Sequence, residues 1–349
     1  MFNLQIKYLS FFFAIISILS FFNILYSYYF NLYLNLDTYY FTLVISFILF
    51  IALFKFGKYN IKSNIFQRIL TIFLGYLVIP LVLSIPFYFS IYNLTFSNSF
   101  FEAISGFTST GFTVFDNIKL IDQSLIIWRS STQWLGGLYF LFSIIYLIDI
   151  YDDSFKKTLT NFISLDSSEV LKQAIKIFIL YSSLTVLIFI VLNIFSIRTF
   201  DSLNLALTII SSGGFLPVNE LSSIIKENIQ IVIFSLLMLF SFFSLFFSYN
   251  LIFLRKKNIN FFYEDFHLFI YLAVVVTIFF LFFSFNYDFF INLFAIISSM
   301  TNIGFSLSSG QENLNFVYLI LVIIGGSFFS TSSGLRFIKI YSLFKFSLN

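Results

Sequence analysis

The sequence predicts an all-α integral membrane protein with about eight transmembrane helices and three re-entrant pore helices, arranged as helix–pore loop–helix repeats. Three observations predict it. Hydrophobic residues fill 59% of the 349 positions and charged residues only 10%, where a soluble domain carries about 25% charged residues to cover its surface. Eight stretches free of Asp, Glu, Lys and Arg approach the roughly 20 residues with which a helix crosses a bilayer. Three further charge-free segments are rich in Ser, Thr, Gly and Asn, too polar and short to cross and too apolar for ordinary loops.

The eight stretches are residues 8–36, 38–54, 69–101, 130–148, 177–197, 228–254, 266–287 and 313–335. The first is too long for a signal peptide and no small-residue cleavage site follows it, so it reads as a retained helix. Pro80 and Pro86 are expected to kink the third. Orientation follows from the connections. With the N-terminus inside, fourteen Lys and Arg fall on the inner side, among them Lys55, Lys58, Lys62, Arg68, Lys156, Lys157 and Arg255 to Lys257. Only Lys119, Arg129, Arg198 and Lys226 fall outside, and Arg336 sits at a span edge. Both termini are therefore expected in the cytoplasm, with the chain in the cell (inner) membrane.

The polar segments are 103–115, 202–219 and 289–311, all on the predicted outer side. Each reads as a half-helix that dips into the membrane and returns as irregular chain, which is tolerated only where protein buries it or water lines it. They repeat one pattern: an apolar half-helix, a short polar stretch, then Gly-Phe at 111, 214 and 304. The polar stretches are Thr108-Ser109-Thr110-Gly111, Ser211-Ser212-Gly213-Gly214 and Thr301-Asn302-Ile303-Gly304. A cation entering a membrane exchanges its water shell for other oxygens, and rows of backbone carbonyls supply them. Aiming successive carbonyls at one axis needs unusual dihedrals, which Gly adopts without steric cost. The C-terminal ends of the half-helices carry partial negative charge, which favours a cation. These twelve residues are the candidate ion pathway, and K⁺ at them is the only metal expected. The competing reading of Gly-Phe is a turn followed by a packing aromatic, in a chain holding 57 Phe.

These motifs resemble the Trk/Ktr/HKT superfamily of potassium transporters, and specifically its bacterial Trk-type membrane subunit. Ser105 to Gly111, Ser211 to Phe215 and Thr301 to Phe305 are similar to three of the family's filter loops, and Trp128 to Gly137 (WRSSTQWLGG) to the motif opening the helix after the first. Gly325 to Arg336 (GGSFFSTSSGLR) resembles the Gly-rich interruption of the third inner helix. The resemblance implies potassium uptake, a homodimer and a cytoplasmic nucleotide-binding regulatory subunit. It divides the chain into an extra helix pair at 1–57, repeat 1 at 62–150, repeat 2 at 165–257 and repeat 3 at 263–349. The family's pore has four repeats, and a fourth is absent from these residues. Three readings stand: a truncated chain, a split gene whose separate polypeptide supplies the fourth repeat, or a defective product. The alternative to a K⁺ conductor is thus a fragment that does not conduct alone, or a Na⁺/K⁺ pathway of low selectivity.

Within residues 325–334 three Gly and a run of hydroxyl residues interrupt an apolar stretch, and each Gly costs a helix about 1 kcal/mol against Ala. The resemblance implies an intramembrane gate, with Gly325, Gly326, Ser330, Thr331, Gly334 and Arg336 as its residues. The other reading is a small-residue face for close helix packing. A gate placed apart from the filter would alter conductance and leave ion preference alone. Arg336 and Lys339 read by default as anchors that snorkel to water. Glu102 reads as a helix cap or a mouth carboxylate, Arg129 and Gln133 as partners of the re-entrant segment. Glu264 and Asp265 beside His267 read as charge at a helix start. The chain has no Cys, which excludes thiolate metal sites, and a net charge of +3 is too small to argue for nucleic acid. No nucleophile–base pair or phosphate-binding loop appears, so neither an enzyme nor a cofactor is expected; the partners are lipid and other chains.

Overall fold

The computed structural model describes residues 6–57, 64–147, 170–252, 263–283, 289–307 and 315–348. They form two compact units, one running to the first residues of the helix after 170 and the other from Lys176 onward.

The first unit holds α1 (Lys7–Tyr29), α2 (Leu36–Phe56), α3 (Ile65–Leu83), α4 (Ile85–Tyr88), α5 (Phe96–Phe107) and α6 (Gln123–Tyr146). α1 lies along α2, and α1, α3 and α5 all pack on α6. Its polar stretch from Arg129 to Gln133 is buried, which is why α6 need not be apolar throughout. Aromatic rings fill the interior: Phe12 meets Tyr139 edge-on at 4.8 Å, and Tyr76 meets Phe107 at 5.6 Å. α3 continues through Pro80, whose carbonyl still accepts from the Ser84 N–H at 2.9 Å. Pro86 has no N–H to continue the ladder, so the helix restarts as α4. The carbonyl of Leu83 at this break accepts the indole N–H of Trp128 at 3.0 Å. The helix pair is fastened to the start of α6, where Asn23 donates to the Ser124 carbonyl at 3.0 Å and Tyr39 shares a hydrogen bond with the Ser124 hydroxyl.

The second unit holds most of α7 (Val170–Ile194), then α8 (Thr199–Ser211), α9 (Asn228–Phe242), α10 (Leu245–Ile252), α11 (Tyr263–Phe283), α12 (Phe289–Met300), α13 (Asn315–Ile323) and α14 (Phe337–Leu348). Strands β1 (Ile324–Gly325) and β2 (Leu335–Arg336) pair in parallel between α13 and α14. α9 packs on α8 and α12, and α11 on α14. Phe242, Leu268, Ile296, Met300 and Leu321 form the core where α9, α11, α12 and α13 meet.

Among the described residues five helical segments are long and apolar enough to cross a membrane: α1, α2, α3 with α4, α7 and α11. The chain is a multi-pass membrane protein. Besides 69–101, which breaks at Ser84 and again between Tyr88 and the start of α5, two of the eight expected spans are not continuous helices among the described residues. The stretch 228–254 breaks at Phe243–Ser244, and 313–335 gives way at Ile324 to a strand, a loop and a second strand. The two breaks satisfy each other's backbone groups, as shown below.

Candidate functional site: three pore loops and a plugged helix break

The re-entrant segments are helices of 12, 13 and 12 residues: α5, α8 and α12. All three end alike. The residue after the last turn takes positive φ at Ser109 (54°), Ser212 (55°) and Asn302 (60°). The next N–H reaches back five residues, from Thr110 to Ser105 O at 2.9 Å, Gly213 to Thr208 O at 2.9 Å and Ile303 to Ser298 O at 3.2 Å. This is a Schellman ending, which satisfies orphan carbonyls of the last turn. Two residues further on, the glycine of each Gly-Phe pair again takes positive φ, at Gly111 (82°), Gly214 (91°) and Gly304 (77°). An L-residue with a side chain pays about 1–2 kcal/mol in the left-handed region, and Asn pays least. The repeat read in the sequence is thus a repeat of backbone conformation. In the first and third loops a helix serine clips the strand after the glycine: Ser105 donates to the Phe112 carbonyl at 2.6 Å and Ser298 to the Phe305 carbonyl at 2.7 Å.

The first loop is braced by a buried ion pair. Arg129 Nε lies 2.8 Å from Glu102 Oε1, with the two side chains 1% and 0% exposed. The Glu102 carboxylate also accepts from the Thr113 hydroxyl at 3.0 Å and from the Val114 N–H at 2.9 Å, so one side chain ties α5, α6 and the return strand together. The expectation for Arg129 as a partner of the re-entrant segment matches this arrangement. Glu102 is neither cap nor mouth carboxylate: the cap of α5 is Thr95, whose hydroxyl accepts from the Asn98 N–H at 3.3 Å. Gly136 lets α6 approach α5, because a Cβ there would meet the Phe107 carbonyl carbon at 2.6 Å and its Cα at 2.9 Å. Gly136→Ala should therefore cost about 1–3 kcal/mol, the usual cost of overpacking, and lower the thermal unfolding midpoint in detergent. An unchanged midpoint would contradict this contact.

In the second unit the Ser212 hydroxyl donates to the Thr301 carbonyl at 2.7 Å, joining the second and third loops. Residues 325–334 fold back upon themselves, closed at the base by the β1–β2 pairing. Gly334 (φ +83°) makes this closure, where a Cβ would lie 2.9 Å from both Gly325 N and Val322 O. Ser327, Ser330 and Ser332 are buried within the loop. The loop plugs the break between α9 and α10. Ser327 N–H donates to Phe242 O at 2.9 Å, Ser332 N–H to Ser241 O at 3.0 Å, and Leu245 N–H to Phe329 O at 2.9 Å. Ends of helices inside a membrane protein need such partners, and here each irregular segment supplies the other's. Gly326 N–H donates to the Ser332 hydroxyl at 3.3 Å and Thr331 Oγ1–H to Ile210 O, near the end of α8, at 2.7 Å.

Arg336 is a part of this structure and not a snorkelling anchor. Its guanidinium donates to Ser327 O at 3.0 Å, Ser330 Oγ at 3.1 Å, Ser332 O at 2.9 Å and Ser330 O at 3.3 Å. All six residues expected at the gate are thus together. Sequence reasoning missed two that belong with them. Glu264 accepts from Phe328 N–H at 2.8 Å, and Asp265 from Ser244 N–H at 2.8 Å, both side chains buried at the start of α11. The only signal available was two adjacent carboxylates next to an apolar run.

No family model matches the chain. It is 26% identical over 288 residues to a protein of Methanocaldococcus jannaschii described as an uncharacterized cation transporter, a match covering 78% of this chain and 57% of that one. It is 24% identical over 269 residues to the Trk system potassium uptake protein TrkH of Halomonas elongata, covering 71% and 55%. The chain thus matches little more than half the length of these relatives. The crystal structure of the potassium transporter TrkH from Vibrio parahaemolyticus shares the fold, with a TM-score of 0.82 at 19% identity over 99% of this chain and 74% of that one. The chain thus shares the fold of a potassium transporter and is similar in sequence to a cation transporter and to Trk potassium uptake proteins.

Proposed function

We propose that this chain is a pore-forming part of a Trk-type potassium-uptake transporter, in which K⁺ exchanges water for the backbone carbonyls of loops 108–111, 211–214 and 301–304. The observation that carries the reading is the threefold recurrence of one helix ending with positive φ at the same two positions. The second of these positions is Gly in all three loops, and the bonds anchoring the first loop engage its flanks, Ser105 O, Gly106 O and Phe112 O. A Cβ at Gly304 would meet no described atom within 4 Å, as expected beside an ion path. The relatives' names carry the choice of K⁺.

Loop 325–334 is the gate, held by Arg336 and the Glu264–Asp265 pair. A homodimer and a nucleotide-binding cytoplasmic subunit belong to the same reading, as does an inner-membrane location with both termini inside. Reporters fused after Lys157 and Lys257 should read cytoplasm, and those after Asn117 and Ser223 the outside. The opposite result at any of the four would overturn the orientation.

The function itself is tested in cells lacking their own potassium uptake, with rubidium influx as the tracer. Expression of the chain should restore growth at low K⁺ and saturable influx. Inserted protein without influx would instead favour a non-conducting fragment.

A further inference from the structure

We propose that Thr331 and Asn302 are positioning residues that couple the gate loop to the pore loops, so that a docked gate and a K⁺-loaded filter stabilise each other. The inference rests on the filter reading above. From sequence alone the Gly-rich loop and the pore loops are separate devices. In the structure they share hydrogen bonds. Thr331 Oγ1–H donates to Ile210 O at 2.7 Å, two residues before the positive-φ cap Ser212. Ser212 in turn donates to Thr301 O at 2.7 Å, beside the next cap, Asn302. The Asn302 side-chain amide then returns to the gate loop, 3.4 Å from Ser332 Oγ and from Ser333 O. The circuit passes through the backbone of two pore loops and closes on the loop it started from.

The caps explain why this matters. Ser109 and Ser212 occupy the first positive-φ position in two loops, whereas the third places Asn there. Either residue type forms the cap. Only Asn has an amide that both tolerates the left-handed conformation and reaches the gate loop. The docked loop thereby holds Ser212 and Asn302 in the conformation that orients the filter carbonyls. Undocking removes the donor to Ile210 O and the acceptors of Asn302, and loosens both caps. Coupling between two equilibria is reciprocal, so an ion preferring the ordered filter also favours the docked loop.

The chain has no cysteine, which makes a single introduced thiol a clean reporter. Ser333 is exposed, and the Asn302 contact is to its backbone carbonyl, so Ser333→Cys leaves the circuit intact. The experiment measures maleimide labelling of Ser333→Cys in the full chain, in lipid nanodiscs, in K⁺ and in Na⁺, alongside thermal unfolding of the same samples. K⁺ should slow labelling about fivefold or more relative to Na⁺, the low end of ordinary allosteric coupling. The difference should vanish on adding Thr331→Val, which keeps shape and loses the donor, and return with Thr331→Ser. A merely structural Thr331 would move the unfolding midpoint and leave the ion dependence intact, which would overturn the proposal. Selective stabilisation by K⁺ with labelling indifferent to the ion would overturn the coupling and leave the filter standing. No selective stabilisation by K⁺ would overturn both.

Discussion

Arg129→Met should sharply reduce the amount of folded, membrane-inserted protein. The substitution leaves the Glu102 carboxylate buried in the first unit without its counter-charge, and breaking a buried ion pair by removing one partner costs about 3–5 kcal/mol. That is comparable with the whole stability of many domains. The reverse half of the pair is informative too. Glu102→Gln in the Arg129→Met background keeps a carbonyl oxygen for the Thr113 hydroxyl and the Val114 N–H while removing the stranded charge. The double variant should recover much of the inserted protein, because replacing both members of a buried pair by neutral groups of similar volume is often close to neutral. Monodispersity in size-exclusion chromatography and the thermal midpoint read both effects. A single variant as stable as the parent would mean that the pair does not brace the loop.

Arg336→Ala should release loop 325–334, the proposed gate. The guanidinium makes four hydrogen bonds to loop 326–334, two to Ser330 and one each to Ser327 and Ser332. Hydrogen bonds from charged donors are worth about 1.5–3 kcal/mol each, so losing even one net bond shifts a docked–undocked equilibrium by about tenfold or more. Flux per inserted molecule should rise while the amount inserted changes less. The small-residue packing reading predicts the reverse, with insertion falling and per-molecule flux unchanged. Normalising flux to inserted protein separates the two.

How much of this was legible in the sequence follows the range of the forces involved. The three repeated helix endings were legible because their cause is local. Positive φ selects Gly, and the Schellman ending places that Gly at a fixed distance from the helix, so the pattern recurs wherever the conformation does. The break of the helix at 325–334 was legible for the same reason, since Gly334 and its neighbours leave a compositional mark. The break at Phe243–Ser244 leaves none. Its residues are ordinary helix-compatible Phe and Ser, and the helix ends because Asp265, Phe329 and Ser332 take up its backbone groups across the fold. Glu102 misled for a related reason: just ahead of the segment expected to begin at 103 a carboxylate looks like a cap, whereas it sits in the middle of α5 and its distant partner Arg129 gives it another role. The abundance of Phe concealed which rings are structural, as with Phe107 at the end of the first pore helix, packed against Tyr76 and Tyr139.

The central claim is that backbone carbonyls at the Gly-Phe loops select the ion. The most direct measurement is K⁺ and Na⁺ flux through the purified protein in liposomes, for the parent and for Gly304→Ala. A methyl at Gly304 would meet no described atom within 4 Å, so the variant should fold and insert; what the methyl opposes is φ of +77°, at a cost of about 1–2 kcal/mol. The account predicts selective K⁺ flux in the parent and a loss of K⁺ flux or of the preference for K⁺ over Na⁺ in the variant, at equal insertion. Parent-like K⁺ flux and selectivity in Gly304→Ala would contradict it.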